Sequence, residues 1–215
     1  MEPENSSPPE FNGDGGSPEP GEPEDPESAG NPADRFVTLT LFFEGTLALI
    51  GLAGGAWSGL PWAAFVRPDL RSILIGAAGG VGLFLMHLIL FFPGGERNPF
   101  YRYIYKPFRD NLLVRLPSFT VEDILFISIM SGLGEEILFR GWIQTQLGIV
   151  VASVLFGLIH IWGKEGIGYG IYAIGMGFLL GYLFQFTGSL WAPVLAHTIN
   201  NFIGLYALEA DFLPD

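Results

Sequence analysis

The chain has no cysteine and few charged residues, which make up 15% of its 215 residues. The lack of cysteine excludes disulfides, thiol nucleophiles, thiolate metal sites and lipids attached at cysteine. No basic patch with interleaved aromatic residues occurs, so nucleic acid is not expected as a partner. The N-terminus also lacks the basic and apolar regions of a cleaved signal peptide, so membrane targeting is expected to come from the first apolar helix.

Apolar residues dominate what is present: 49% of the chain is hydrophobic, with 19 Phe and 30 Gly, and the mean hydropathy is +0.40. Long apolar runs of this kind predict an all-α, polytopic transmembrane helical bundle with about six spans of ~20 residues. The protein is therefore expected to be an integral, multi-pass protein of a plasma or inner membrane, with the lipid bilayer as a partner. The predicted spans lie at about 36–57, 72–92, 121–141, 148–162, 167–186 and 190–208.

Acidic residues are concentrated at the N-terminus. Residues 1–34 contain ten Asp or Glu and no Lys or Arg, whereas the remainder has twelve acids against ten bases. Because this segment is rich in Pro, Gly and Ser, it is predicted to be a disordered acidic tail. Residues 35–208 then form the helical membrane domain, with a catalytic core at about 120–205, and residues 209–215 form a short C-terminal tail. Since most bases in the loops lie on one side of the alternating spans, the positive-inside tendency places both termini in the cytoplasm.

Two adjacent carboxylates and an arginine interrupt the third span. Burying ionisable groups in hydrocarbon is costly, so such residues usually face a protein interior and serve a function. Glu136 and Arg140 are four residues apart and share a helix face, where they can neutralise each other. Glu135 is rotated by about 100° from Glu136, so it points elsewhere and remains available for chemistry.

Two later histidines are the candidates that can meet Glu135. Phe156 and His160 share one face of the fourth span, and His197 and Asn201 share one face of the sixth, with Asn200 on the neighbouring flank. Estimates from a rise of ~1.5 Å per residue and a hydrocarbon core of ~30 Å allow these groups to lie at a common depth. The sequence therefore permits one buried polar site.

A glutamate with two histidines in a site shielded from bulk water indicates hydrolysis. Glu135 can act as general base for a water molecule, assisted by His160. Alternatively, Glu135, His160 and His197 bind Zn²⁺ and leave a position open for an activated water. Asn201 and His197 are placed to stabilise a developing oxyanion. The competing interpretation is a polar network that only holds the helices together.

Other polar features receive structural interpretations. Glu44 in the first span either contributes to the site or pairs structurally, and His87 in the second either relays protons or packs through a hydrogen bond. The structural role is favoured for both. Residues 93–120 mix bases with aromatic residues, which is typical of a segment lying at the membrane interface, with substrate admission as the alternative. Gly76 and Gly80 predict close helix packing.

Three motifs in this order resemble those of the CPBP family, the CAAX protease and bacteriocin-processing family of intramembrane endopeptidases. They are Glu135-Glu136-xxx-Arg140, Phe156-xxx-His160 and His197-xxx-Asn201. The resemblance covers about residues 120–205 and implies hydrolysis of a peptide bond in a membrane-associated protein or peptide. It implies that Glu135 activates water with His160, that His197 and Asn201 stabilise the oxyanion, and that the remaining motif residues support them. The family is described both as metallo- and as glutamate-dependent, so the cofactor is either none or zinc.

Two other functions compete with the protease. One is a non-catalytic membrane scaffold or bacteriocin-immunity factor that retains the polar cluster for packing. The other is a proton- or metal-coupled transporter, because buried carboxylates and histidines also form ion paths. No repeat of matched halves with broken helices is evident in the sequence, which counts against transport.

Overall fold

The computed structural model describes residues 31–91, 93–111 and 116–210, and every regular element within these ranges is helical. The all-α fold class is therefore confirmed. A 3-10 turn at Gly95–Arg97 and two π-helical segments, Tyr101–Tyr105 and Ile137–Gln144, complement the α-helices. The α-helices are α1 Pro32–Trp57, α2 Trp62–Phe65, α3 Leu70–Phe91, α4 Lys106–Asn111, α5 Val121–Glu136, α6 Thr145–Ile159, α7 Ile167–Thr187 and α8 Trp191–Glu209.

The predicted acidic tail spans residues 1–34, and its first 30 residues lie outside the part of the chain that the structure describes. Its boundary is nevertheless too late, because α1 begins at Pro32. The side chain of Asn31 accepts a hydrogen bond from the Ala33 N–H at 3.0 Å and so caps the first turn. Proline in the first turn suits this start, since its missing N–H has no partner there in any helix. Most of the predicted C-terminal tail, from 211 on, also lies outside the described residues.

Four helical stretches among the described residues are long and apolar enough to cross a membrane: Pro32–Trp57, Leu70–Phe91, Val121–Ile159 and Ile167–Thr187. About six spans were expected. The predicted third and fourth spans fall in one stretch of 39 residues, and α8, the predicted sixth, carries a histidine and two asparagines that lower its hydropathy. The third span was expected to end at Gly141, but the helix continues through it and its backbone is non-helical at Gly148, where φ is +83°.

Burial follows the pattern of a membrane bundle and not that of a soluble domain. Large apolar side chains point outward on several helices, for example Phe42 at 68% exposure and Ile89 at 71%. Arg140 and Glu136 are among the most deeply buried side chains, at 1% and 0% exposure. An apolar exterior around a polar interior matches a protein whose outer surface meets lipid.

Helix α5 lies between α1 and α8, α3 packs along α8, and α6 packs along α7. The approach of α3 to α8 is close at both predicted glycines. A Cβ atom on Gly76 would lie 2.7 Å from the carbonyl oxygen of Ala192, and one on Gly80 would lie 2.8 Å from that of Ala196. Only glycine allows this separation, so α3 sets the position of the helix that carries the third motif.

The start of α5 is defined by a capping box. The Thr120 hydroxyl accepts from the Asp123 N–H at 3.2 Å, and the Asp123 carboxylate accepts from the Thr120 N–H at 3.0 Å. This reciprocal arrangement satisfies backbone donors that a helix N-terminus otherwise leaves free. The helix then runs unbroken to Glu136, so its start determines the depth of both glutamates.

Candidate active site

The predicted site residues come from three separate parts of the fold. Glu135 and Glu136 end α5, His160 follows the last residue of α6, and His197 and Asn201 lie on α8. The four residues expected to act on substrate, namely Glu135, His160, His197 and Asn201, line one cavity of about 90 Å³. The convergence that the sequence permitted is therefore present.

The two carboxylate oxygens of Glu136 contact two different side chains. Its Oε2 lies 3.1 Å from Arg140 Nε, the spacing expected from the sequence, and its Oε1 accepts from His197 Nδ1–H at 2.8 Å. Arg140 also donates from Nη2 to the Gly177 carbonyl at 3.2 Å, which ties the pair to α7. The link from Glu136 to His197 was not predicted. It orients the His197 ring so that Nε2, and not Nδ1, is directed toward Glu135.

Phe156 connects the first and second motifs. The Arg140 guanidinium lies 4.5 Å from the centre of the Phe156 ring, a cation–π contact in a desolvated place. The Phe156 carbonyl accepts from His160 Nδ1–H at 2.7 Å. This bond sets the His160 tautomer and leaves Nε2 as its free nitrogen. Phe156 can therefore support the site in two ways, because its ring contacts Arg140 and its carbonyl orients His160.

Glu135 and His197 face each other without touching. His197 Nε2 lies 4.0 Å from Glu135 Oε2, which is too long for a direct hydrogen bond. The same Glu135 oxygen is buried and has no hydrogen-bond partner among the residues described. Glu135 is therefore the carboxylate of the pair that remains free to act on another group.

Asn201 is oriented by a residue that sequence reasoning missed. Its Nδ2 donates to Ser131 Oγ at 3.0 Å, and its Oδ1 accepts from Asn200 Nδ2 at 3.4 Å. Ser131 precedes Glu135 by four positions on α5, so both lie on one helix face. Ser131 could have been recognised from the sequence by its spacing of four residues from Glu135.

A second, larger cavity of about 230 Å³ adjoins the first. Its walls are mainly apolar and aromatic, and Ile104 and Phe108 bring the connection 93–111 to its edge. Phe108 stacks on Tyr169 with ring centres 4.4 Å apart. The connection predicted to lie at the interface therefore also borders the site. The residues shared by both cavities are His87, Tyr169, Tyr172, Asn200 and Asn201.

Glu44 lies beside the site but lines neither of these two cavities. It is 6% exposed and packs against Gly134, where a Cβ atom would come within 2.6 Å of the Glu44 carbonyl oxygen. Glycine at 134 thus lets α1 approach the turn that presents Glu135. The Glu44 Oε2 is buried and has no hydrogen-bond partner among the described residues, so the structural pairing favoured for this carboxylate is not seen there.

The predicted zinc ligands are of the right chemical types but do not form a metal site. Zinc takes imidazole nitrogens and carboxylate oxygens at about 2.0–2.2 Å in a tetrahedral arrangement. Among the described residues, no group of three His, Asp or Glu side chains converges in that way.

Comparison with known proteins finds a match to the segment that carries the motifs. Residues 117–203 match the family model for Rce1-like type II CAAX prenyl endopeptidases. The uncharacterized protein YpbD of Bacillus subtilis (strain 168) is 34% identical over 80 residues, which cover 37% of this chain and 42% of YpbD. The chain thus aligns with less than half of that relative, and no solved structure matches it. The matched segment contains all three motifs, and it is similar to the Rce1-like type II CAAX prenyl endopeptidases.

Proposed function

We propose that this protein is an intramembrane endopeptidase that hydrolyses a peptide bond with a water molecule activated by Glu135. The observation that carries the proposal is the convergence of Glu135, His160, His197 and Asn201, from three parts of the fold, on one cavity. The family of the matched segment supports the same reaction class. The substrate is a membrane-associated protein or peptide, because the cavity lies within a helical bundle with an apolar exterior.

In the first step Glu135 takes a proton from water while the water oxygen bonds to the scissile carbonyl carbon. The 4.0 Å between Glu135 Oε2 and His197 Nε2 leaves room for a reacting oxygen between them. His160, whose Nε2 is free, orients the water on the same cavity wall. The product of this step is a tetrahedral intermediate with one oxyanion.

The oxyanion is stabilised by Asn201 and His197. One hydrogen of the Asn201 amide is used by Ser131, and the other is left for the oxyanion. His197 donates from Nε2 as an imidazolium, and the Glu136 carboxylate at Nδ1 offsets that charge. The C–N bond then breaks, and Glu135 returns its proton to the leaving amine, so atoms and charge balance.

Purified protein in detergent, given a fluorescent peptide with a farnesylated cysteine near its C-terminus, tests this mechanism. Glu135→Gln is expected to lower kcat by about 10²- to 10⁴-fold, since it removes the general base. Glu165→Gln, a matched change at an exposed loop carboxylate, should leave kcat unchanged. Cleavage retained by Glu135→Gln would refute the assignment of the base, and loss of activity on chelation that zinc restores would assign zinc to the reaction.

A non-catalytic scaffold or immunity factor is the second candidate. It is favoured by the cross-helix bonds Glu136 to His197 and Asn201 to Ser131, which also hold α5 to α8. That function does not account for Glu135, whose buried Oε2 has no hydrogen-bond partner among the described residues. Failure of the wild-type protein to cleave any peptide in a broad screen would favour the scaffold.

A further inference from the structure

Asn200 is a buried amide that the three motifs and the proposed mechanism leave unused. It is 9% exposed and lines both cavities at the place where they meet. Its Oδ1 is buried and meets no donor in full hydrogen-bonding geometry among the residues described, although His87 lies close enough to interact with the Asn200 side chain. Its Nδ2 donates one hydrogen to Asn201 Oδ1 in a long contact of 3.4 Å, and its second amide hydrogen is not used in that contact. An acceptor and a donor are thus both available on one carboxamide.

The surroundings of Asn200 hold it in place. His87 on α3 is its polar neighbour, and His87 Nε2 is hydrogen-bonded to the Tyr172 hydroxyl of α7. Tyr172 donates in turn to Met176 Sδ at 3.1 Å, so its oxygen accepts from His87 Nε2–H. This chain of contacts spans three helices and fixes the wall against which the Asn200 amide lies. His87 and Tyr172 are accordingly positioning residues.

A peptide entering the larger cavity has to satisfy its own main-chain amides. Most of that cavity is lined by residues such as Phe84, Leu88 and Phe91, which cannot bond to a peptide group. Burying an amide without a partner costs several kcal/mol in a medium that excludes water. Of the two carboxamides that line this cavity, Asn201 donates to Ser131 and is assigned to the oxyanion, so Asn200 is the one left for the main chain of the substrate.

The geometry of an extended chain matches what Asn200 offers. In a strand-like peptide, the N–H and C=O of one residue point to the same side. A side-chain amide can accept from that N–H and donate to that C=O at the same time. Because Asn200 directly precedes the predicted oxyanion residue Asn201 on α8, a residue held in this way lies beside the scissile bond.

We propose that Asn200 binds the main chain of an extended peptide substrate at the junction of the two cavities, with His87 and Tyr172 holding its amide in position. The inference rests on the proposed protease function, and it adds a binding residue outside the three motifs. The ligand chemistry is a peptide backbone in extended conformation, whatever side chains or lipid the substrate carries.

The test pairs a protein variant with a change in the peptide backbone. The probe is the labelled farnesylated peptide, together with a set of versions in which one amide N–H at a time is replaced by an ester oxygen. One ester position is expected to raise KM of the wild type by about 2- to 12-fold, the value of one hydrogen bond. Asn200→Leu should raise KM similarly with kcat little changed, and should be insensitive to that ester. Gln185→Leu, an amide change on the exposed face of α7, should behave as the wild type.

Each outcome decides between the two proposals. Cleavage by the wild type with no KM change in Asn200→Leu, or with additive ester and variant effects, would overturn the role of Asn200 and leave the protease intact. Absence of cleavage would overturn the protease, and binding of the same peptides, measured by fluorescence anisotropy, would then test Asn200. If Asn200→Leu does not fold, Asn200→Ala carries the experiment. Tyr172→Phe should weaken peptide binding while the ester sensitivity persists, as positioning requires.

Discussion

At the residue scale, the two adjacent glutamates differ because of what surrounds them. Glu136 is fully buried and is held by Arg140 and by His197, whereas one oxygen of Glu135 has no partner among the described residues. The pairing of Glu136 with Arg140 was predictable, since a separation of four residues places both on one helix face. The bond to His197 was not predictable, because it joins residues 61 positions apart in the chain.

Arg140→Met is expected to destabilise the protein strongly. The change leaves Glu136 buried without its cation, and breaking a buried pair costs roughly 3–5 kcal/mol. The double variant Arg140→Met with Glu136→Gln should recover part of this loss, since the neutral amide still accepts from His197. Thermal unfolding in detergent measures both effects, with the exposed Arg97→Met as the control. Strictly additive losses in the double variant would show that the two side chains do not act as a pair.

At the element scale, the glycines of α3 decide where α8 and its histidine lie. Small residues at this spacing were recognised from the sequence as sites of close packing, but the partner helix was not. The partner is α8, whose carbonyl oxygens come within 3 Å of where Cβ atoms on Gly76 and Gly80 would lie. The spacing of small residues is a property of one helix, whereas the choice of partner depends on the whole bundle.

Gly80→Ala and Gly82→Ala form a matched pair on α3. A Cβ atom on Gly80 would lie 2.7 Å from that of Ile199, whereas one on Gly82 meets nothing within 4 Å. Gly80→Ala should therefore cost about 1–3 kcal/mol through overpacking and should lower kcat by displacing His197. Gly82→Ala should be neutral or stabilise the helix by up to about 1 kcal/mol. Equal unfolding temperatures for the two variants would contradict close packing at Gly80.

At the scale of the whole molecule, the family segment depends on helices outside it. The match covers residues 117–203, but α1 and α3 lie before it. Gly51 of α1 lets that helix approach the main chain at Leu138, at 2.8 Å for an added Cβ atom. His87 of α3 completes the polar wall at the junction of the cavities. The helices that position the candidate site therefore extend beyond the segment that carries the three motifs.

A fragment of residues 117–210 is expected not to fold on its own. Removing α1 and α3 exposes the faces of α5 and α8 that they cover, including the buried polar groups. A fragment of residues 31–215, which retains all described helices, should match the full chain in unfolding temperature and cleavage rate. Size-exclusion chromatography and thermal unfolding in detergent provide the measurements. A monodisperse 117–210 fragment with cooperative unfolding would show that the family segment is autonomous.

The sequence by itself determined the fold class, the order of the three motifs and the pairing of Glu136 with Arg140. These follow from hydropathy and from helical periodicity, which act over a few residues and can be read along the chain. Only the tertiary structure decided which span approaches which, how His197 is oriented, and that His87 and Tyr172, 85 residues apart, meet beside Asn200. Such contacts depend on how close-packed helices cross, and small shifts in crossing position change them, so no local pattern specifies them.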